Sequence, residues 1–302
     1  MDLSIALVNW NNRDYLKQCL QSIEAARLPV VYEVVVADNG STDGSLEMLA
    51  AHFPYVKVVQ NGKNVGVARG NNECIRNSSG RFIWVLNNDT LVNRDSVVAM
   101  IEFLEDTPGA AAVGGCLLNP DGTLQYAFCS FPTLVEEFLI VSHIGKRLNP
   151  YFPSHMGTGS VAQEVDWISS ASILVRRTAI ESIGLVDEDY FIYSDETDWQ
   201  YRLAKAGWKV YFLPNVTTIH FGGSSFKPGG KRFTLVYRGR MLFARKHYGI
   251  PYQFAQRLMF CVAAIARGLV WLLLCVLPRW RAIARKQVVS NFETLSLCVN
   301  LK

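Results

Sequence analysis

No arrangement of cysteines in this 302-residue chain indicates a disulfide framework or a structural metal site. The seven cysteines are scattered, odd in number and free of any C-x-x-C or Cys/His spacing. Small secreted domains that depend on disulfides carry such spacings, so the pattern favours reduced thiols and an intracellular location. A chain of this length has no need of cross-links, because it can bury a sizeable hydrophobic core.

Three further features are missing, and each weakens the case for a class of protein. The N-terminus has an acidic residue at Asp2, no positively charged leader and no small-residue cleavage site, so we interpret it as a first strand rather than a signal peptide. A net charge of +4 is too small by itself to indicate nucleic-acid binding. The N-terminal region also lacks the lysine-containing glycine-rich loop expected of a nucleotidyltransferase.

The first ninety residues contain a regular alternation of strand and helix patterns. Segments with the composition of short or buried strands are residues 4–9, 32–37, 56–60 and 82–86. Helical patterns fill the intervals between them. This alternation predicts an α/β fold with a Rossmann-like, mostly parallel central sheet and helices on both faces. Such sheets bind ligands at the carboxyl ends of their strands.

Polar residues cluster directly after three of these strands, at residues 9–12, 38–43 and 87–89. Asp38 could accept a hydrogen bond from a nucleotide base or ribose, and the alternative is an ordinary turn with a helix cap. The glycine-containing segment 64–71 adds Arg69, which could reach a phosphate. The strand ends therefore form a candidate nucleotide site.

Asp89 and His220 are candidates for a divalent metal site. A carboxylate at a strand end can bind a hard cation that bridges two phosphates, although an Asx turn would also explain Asp89. His220 follows a strand-like segment at residues 216–219. A single histidine is commonly a structural residue, and here it could instead complete an oxygen-plus-imidazole ligand set with Asp89.

Three acids at the start of a predicted helix over residues 197–206 suggest a general base. Asp195, Glu196 and Asp198 lie beside the aromatic residues Tyr190 and Tyr193. Acids in a first helical turn also complement the helix dipole, and that explanation covers one or two of the three. An acid that the helix dipole does not explain is typical of a general base in an acceptor site with aromatic walls.

Six motifs occur in a specific order along the chain: VNWNN, VVVADNGSTDGS, NVGVARGNN, WVLNNDT, YFIYSDETDWQYRLAKAGW and IHFGGSS. Each alone would be weak evidence. Together, over about residues 3–225, the set resembles glycosyltransferase family 2, whose members are inverting enzymes with the GT-A fold, and especially its bacterial rhamnosyltransferase-like branch.

The resemblance implies roles for individual residues. Residues expected to hold the nucleotide-sugar donor are Asn9, Asp38, Asn39, Arg69, Asn87 and Asn88. Asn87 and Asp89 match the outer positions of the family's D-x-D motif, and since the first is Asn here, Asp89 would carry most of the metal charge. His220 matches the histidine that completes the site for Mg²⁺ or Mn²⁺. Glu196 aligns with the usual base, with Asp195 as the alternative because many relatives have Asp at the aligned position.

The implied reaction is a single displacement from a dTDP- or UDP-linked sugar, with inversion at the anomeric carbon. L-rhamnose from dTDP-rhamnose is the expected donor, ahead of UDP-galactofuranose, UDP-N-acetylglucosamine and UDP-glucose. The expected acceptor is a lipid-linked or polysaccharide saccharide of the cell envelope, as in O-antigen assembly. A noncatalytic nucleotide-sugar-binding scaffold is the alternative from another class, and retention of Asp89, Glu196 and His220 argues against it.

The C-terminal part of the chain is basic and apolar. Residues 258–278 are long enough to span a membrane, but Arg267 lies in the middle of the segment. We therefore expect a helix that lies at the cytoplasmic face of the inner membrane, with a spanning helix, a buried helix and a homo-oligomer face as alternatives. The expected division is a catalytic domain at 1–235, with halves at 1–110 and 111–235, and a membrane-associated region at 236–302.

Overall fold

A computed structural model describes residues 1–126, 128–155, 159–222 and 232–300. The chain divides into two compact units, which we call the sheet unit and the helical unit. The sheet unit comprises Met1–Phe131, Ser154–Phe191 and Asp195–Ser225, and the helical unit comprises Pro132–Pro153, Ile192–Ser194 and Phe226–Lys302. The expected division into 1–235 and 236–302 stays a prediction.

The sheet unit is built on one ten-stranded sheet. Its strands are β1 (Leu3–Asn9), β2 (Tyr32–Asp38), β3 (Lys57–Gln60), β4 (Phe82–Asn87), β5 (Thr90–Leu91), β6 (Ala110–Leu118), β7 (Leu124–Tyr126), β10 (Gln163–Val165), β12 (Ser172–Arg176) and β13 (Lys209–His220). A small second sheet contains β8 (Phe128–Cys129), β9 (Ser154–His155) and β11 (Trp167–Ile168).

The strand order of the large sheet is β10-β13-β6-β12-β4-β1-β2-β3, with β5 on β13 and β7 on β6. The pairs β1/β2, β1/β4, β2/β3 and β6/β13 are parallel. Strand β12 runs antiparallel between β4 and β6, so β4 and β6 point the same way. The prediction of a mostly parallel sheet is confirmed.

Helices cover both faces of this sheet. The helices of the sheet unit are α1 (Arg13–Ala26), α2 (Ser45–His52), α3 (Val67–Arg76), α4 (Arg94–Asp106), α7 (Arg177–Ile183) and α8 (Asp195–Lys205). Leu3, Ile5 and Leu7 of β1 share one core cluster with buried residues of α1, α2 and α4. Successive strand residues face opposite sides, and Val8 contacts α3 so closely that a Cβ on Gly70 would lie 2.8 Å from it. Helix α3 therefore lies on the other face.

The structure departs from the sequence prediction in two places within the sheet unit. Helix α8 begins at Asp195, two residues before the predicted start, so all three acids belong to its first turn. Strand β13 extends from Lys209 to His220 with a register shift between Leu213 and Thr217, so it begins seven residues before the strand-like segment predicted at residues 216–219. Residues 223–225 of the IHFGGSS motif lie outside the described residues.

The helical unit contains five described helices: α5 (Leu134–Val141), α6 (Ile144–Leu148), α9 (Arg232–His247), α10 (Ile250–Leu274) and α11 (Arg281–Asn300). Neither α5 nor α6 was predicted from the sequence. Their core is a cluster of Val141, Tyr237, Met241, Phe260 and Cys298. A buried ion pair joins α5 to α9, because Arg240 Nη1 lies 2.6 Å from Glu137 Oε2.

Helix α10 contains most of the apolar segment that the sequence singled out. Within the described residues it is the one helix long and apolar enough to cross a membrane, with a mean hydropathy of 1.9 over eighteen residues and only 11% of that window buried. It begins at Ile250, eight residues before the predicted segment, and ends at Leu274.

Candidate active site

Three neighbouring parallel strands bring the predicted donor-binding residues to one edge of the sheet. The registers pair Asn9 of β1 with Asp38 of β2, and Val8 of β1 with Asn87 of β4. Asn9, Asp38 and Asn87 are thus the last residues of adjacent strands. The sequence placed each at a strand end, and the parallel pairing makes these ends adjacent.

A buried hydrogen-bond network joins these strand ends. The Asn9 amide nitrogen donates to Asp38 Oδ2 and to Ser41 Oγ, each at 3.0 Å. The Asn88 amide donates to Asn9 Oδ1 at 2.8 Å, and Asn12 in turn donates to Asn88 at 2.9 Å. Buried amides and carboxylates joined in this way lose rotational freedom. The network therefore fixes the positions of the three strand ends.

Asp38 is itself held by the turn that follows it. Its Oδ1 accepts from the backbone nitrogens of Gly40 at 3.1 Å and Ser41 at 2.9 Å. The side chain is only 1% exposed. The ordinary turn weighed for Asp38 from the sequence is therefore present, and the part of Asp38 in nucleoside binding stays a prediction.

Asn39 links this turn to the start of α3. Its amide nitrogen donates to the carbonyl of Gly66 at 3.1 Å, and its oxygen accepts from Asn61 at 2.8 Å. Arg69, in the first turn of α3, lies 3.8 Å from Glu188 with half of its side chain exposed. A loosely paired, exposed guanidinium is able to turn toward a ligand.

The two predicted metal ligands are adjacent. Strand β13 pairs with β5 so that His220 lies opposite Thr90, and Phe221 donates its amide to the Asp89 carbonyl at 2.9 Å. His220 Nε2 lies 3.3 Å from Asp89 Oδ1. Residues more than a hundred positions apart therefore meet at the sheet edge.

Gln125 of β7 decides which nitrogen of His220 faces Asp89, and the sequence analysis missed it. Its amide nitrogen donates to the His220 carbonyl at 3.3 Å and to Asn119 at 3.1 Å, so its oxygen points to His220 Nδ1, 2.5 Å away. Assigned from this network, the proton is on Nδ1 and the Nε2 lone pair faces Asp89. A short edge strand after a turn offers no sequence signal for such a role.

This donor set fits a divalent cation. Asn87 Nδ2 lies 3.2 Å from His220 Nε2. Because the proton of His220 is on Nδ1, His220 Nε2 and Asp89 Oδ1 are two acceptors in close contact. A positive charge beside them stabilises this pair. No group of three or more His, Cys, Asp or Glu side chains suited to a metal occurs in the described residues. Mg²⁺ is commonly held by one or two carboxylates, with substrate phosphates completing its shell.

The acid pair at the start of α8 has perturbed protonation. Burial raises the pKa of Glu196 well above its usual range, and the charge of Asp195 and a hydrogen bond to it raise that pKa further. Burial also raises the pKa of Asp195. Asp195 is 3% exposed, whereas Glu196 is partly exposed. Of the two residues, Glu196 is the more exposed.

Asp198, the third acid, is a structural residue in this arrangement. It is fully buried, and Arg202 Nε donates to its Oδ2 at 2.8 Å. The other guanidinium nitrogens of Arg202 donate to the carbonyls of Ile183 and Leu185 at 2.9 and 2.8 Å. The pair therefore fastens the loop before α8 to the helix.

The same loop docks along α3. Val67 donates its amide to the Phe191 carbonyl at 2.7 Å, and Asn72 donates to the carbonyl of Val186 at 2.8 Å. Glu188 also lies 2.9 Å from Arg76 of α3. The loop that leads to the acid pair is thus attached to the helix that carries Arg69.

The mostly parallel sheet with helices on both faces is a fold of the GT-A type. The structure resembles the mannosyltransferase PcManGT from Pyrobaculum calidifontis in complex with GDP-Man and Mn²⁺, with a TM-score of 0.61 over 99% of this chain and 87% of that chain. The identity is 16%, so this likeness concerns the fold alone.

The chain belongs to glycosyl transferase family 2, whose model matches residues 4–184, more than half of its length. It is 29% identical over 238 residues to the N-acetylglucosaminyl-diphospho-decaprenol L-rhamnosyltransferase of Mycobacterium tuberculosis, covering 72% of this chain and 75% of that protein. It is also 24% identical to rhamnosyltransferase WbbL of Escherichia coli K12, covering 72% and 82%. The chain is thus a rhamnosyltransferase-like member of the family, which confirms the resemblance.

Proposed function

We propose that this protein is an inverting, divalent-metal-dependent glycosyltransferase that moves L-rhamnose from dTDP-rhamnose to a lipid-linked saccharide of the cell envelope. One observation carries the proposal. A continuous set of contacts runs from Asp38 through Asn9 and Asn88 to the neighbouring Asp89 and on to His220. It places candidate nucleoside and metal groups along one edge of one sheet, as a nucleotide diphosphate requires.

The donor is proposed to lie along this edge. Its nucleoside would contact the Asp38 turn, which Asn9 and Asn39 position. Its phosphates would lie near Arg69, Asn87 and Asn88. Asp89 and His220 would hold Mg²⁺ or Mn²⁺. When bound, the ion supplies positive charge that stabilises the departing diphosphate.

In the proposed reaction, Glu196 removes the proton of an acceptor hydroxyl. That oxygen forms a bond to the anomeric carbon while the bond from this carbon to the diphosphate oxygen breaks, and the bonding electrons leave with the nucleotide diphosphate. The entering and departing oxygens lie on opposite faces of the sugar, so the anomeric configuration inverts. Asp195 shares a hydrogen bond with Glu196 and holds its pKa high, which suits a base that works near neutral pH.

Sequence likeness supports the choice of sugar and acceptor. The relatives from M. tuberculosis and E. coli are both rhamnosyltransferases, and the name of the first specifies a diphospho-decaprenol acceptor. We extend both features to this chain as part of the proposal.

We further propose that the protein works at the cytoplasmic face of the inner membrane. Helix α10 exposes large apolar side chains, among them Phe254, Leu258 and Leu273. Arg257 precedes most of this surface, and Arg279 and Arg281 follow it. Apolar helices flanked by basic residues bind anionic membrane surfaces.

Calorimetric titration of the full chain with dTDP-rhamnose, UDP-N-acetylglucosamine and UDP-galactofuranose, each with and without Mn²⁺, tests the proposal. We expect metal-dependent micromolar binding of dTDP-rhamnose, an affinity of about −8 kcal/mol. Asp89→Asn should abolish the metal dependence. Glu196→Gln should retain donor binding but lose about 10²- to 10⁴-fold in turnover.

Two results would contradict parts of this proposal. Tight binding of another donor would replace rhamnose, and unchanged metal dependence in Asp89→Asn would remove Asp89 from the metal site. The configuration of the product, measured by NMR from the coupling of its anomeric carbon to hydrogen, checks inversion independently. If a donor binds but no transfer to a lipid-linked acceptor follows, the noncatalytic nucleotide-sugar-binding scaffold becomes the better explanation.

A further inference from the structure

The helical unit contains a groove between α5 and α10 that the proposed reaction does not use. Its volume is about 760 Å³, within the range of about 300 to 1,000 Å³ that is usual for sites of small molecules and cofactors. The lining residues on α10 run from Ala255 to Trp271, a distance of about 24 Å at 1.5 Å per residue. The groove therefore follows the helix.

Its walls are almost entirely apolar. Leu258, Met259 and Val262 line it from α10, and Phe138 and Val141 line it from α5. The lining contains no acidic residue, and its polar side chains, the Trp271 indole aside, are Ser142, His143 and Arg267. A groove with such walls favours a hydrocarbon over a peptide or a sugar, because it has few partners for their hydrogen bonds.

One part of the groove is cationic. Arg267 lies twelve residues after Ala255, so about 18 Å of apolar helix wall precedes its charge. Arg267 Nε is buried and has no hydrogen-bond partner among the described residues, and Nη2 reaches only the Tyr237 hydroxyl at 3.4 Å. This guanidinium retains donor capacity toward the groove.

Neighbouring charges strengthen this positive region. Burial lowers the pKa of His143, and the positive charges of Arg267, Lys146 and Arg147 lower it further. Glu137 of α5 is engaged by Arg240 at 2.6 Å and by Gln256 at 3.1 Å. An anionic head group is therefore the complement of this end of the groove.

We propose that this groove binds the tail of a polyprenyl phosphate lipid, with its phosphate on Arg267. The proposal rests on the function proposed above and identifies where the lipid part of the acceptor is held. A hydrocarbon tail matches the apolar wall, and a phosphate at one end matches the single cationic region. Charge complementarity selects this occupant over a neutral lipid.

Competition binding to the purified full-length chain in detergent tests the inference. The probes are decaprenyl phosphate, its neutral counterpart decaprenol, and phosphatidylglycerol as an anionic lipid of the bilayer. We expect decaprenyl phosphate to bind at least about tenfold more tightly than decaprenol, the ratio that one charge-assisted hydrogen bond supports, and also more tightly than phosphatidylglycerol. Equal binding of phosphatidylglycerol would show a general membrane surface and overturn the inference.

Two neighbouring residues provide matched variants. Ala266 is exposed and lines the groove, whereas Ile265 is half-exposed and does not line it. Ala266→Trp should fill the groove and weaken decaprenyl phosphate binding at least about tenfold, while Ile265→Trp should stay within about twofold of the parent chain. Equal effects of the two variants would place the lipid elsewhere.

Arg267→Gln tests the head group separately. It should remove the preference for decaprenyl phosphate over decaprenol and leave decaprenol binding unchanged, and a retained preference would overturn the phosphate contact. Titration of each variant with dTDP-rhamnose in the absence of lipid measures whether the sheet unit still binds the donor. Loss of donor binding in the parent chain would count against the proposed function, whereas loss of lipid selectivity alone would count only against this site.

Discussion

Replacing Gly66 by alanine should disturb the loop that leads to the acid pair. Gly66 caps α3 with φ +88° and ψ 175°, a backbone conformation that essentially only glycine adopts. Forcing another residue into it costs about 1 to 3 kcal/mol. A Cβ at this position would also lie 2.4 Å from the carbonyl oxygen of Phe191, so the loop must move.

The movement breaks a specific hydrogen bond. Val67 donates to the Phe191 carbonyl at 2.7 Å, and such a bond contributes about 0.5 to 1.5 kcal/mol. Together with the backbone term, Gly66→Ala should destabilise the sheet unit by about 2 to 4 kcal/mol. Gly62→Ala is the matched control, because Gly62 also has positive φ, +68°, but a Cβ there would have no neighbour within 4 Å. It should cost only about 1 to 2 kcal/mol.

Native-state hydrogen exchange measures the protection of the Val67 amide directly. This measurement is local, so it does not require that a chain with two units unfold in a single two-state transition. In Gly66→Ala the protection of this amide should fall by about tenfold or more relative to Gly62→Ala. Glu196-dependent turnover should fall as well, because the displaced loop precedes the acid pair by only a few residues. Equal protection of Val67 in the two variants would refute the claim that this contact positions the loop.

The other predictions concern protonation and the metal. A general base works when ionised, so turnover should decline as pH falls through the raised pKa of Glu196. Asp195→Asn removes a charge that raises this pKa, so the acidic limb of the kcat/KM profile should move to lower pH. Complete loss of turnover in Asp195→Asn would instead make Asp195 the base. Gln125→Leu releases His220 Nδ1 and should weaken Mn²⁺ binding about 10- to 100-fold in an EPR titration, with recovery in Gln125→Glu, which keeps the acceptor. A Gln125→Leu variant with parental affinity would show that His220 orientation does not affect the ion.

The sequence was a good guide where local chemistry controls structure. Buried strands such as residues 32–37 have a composition typical of strands and of few other conformations. The alternation of such strands with helices implies a parallel sheet. The polar residues that follow them must lie at strand ends, which is why Asn9, Asp38 and Asn87 were found. Helices α5 and α6 gave no such signal, since each has eight residues or fewer.

The sequence by itself determined the α/β fold, the strand-end location of the candidate donor residues and the family to which the chain belongs. Only the tertiary structure decided that Gln125 orients His220 and that α5 and α10 enclose a groove lined by Arg267. The physical reason is that strand and helix patterns repeat over a few residues. Contacts between segments a hundred residues apart depend instead on sheet order, register and packing, which no local pattern records.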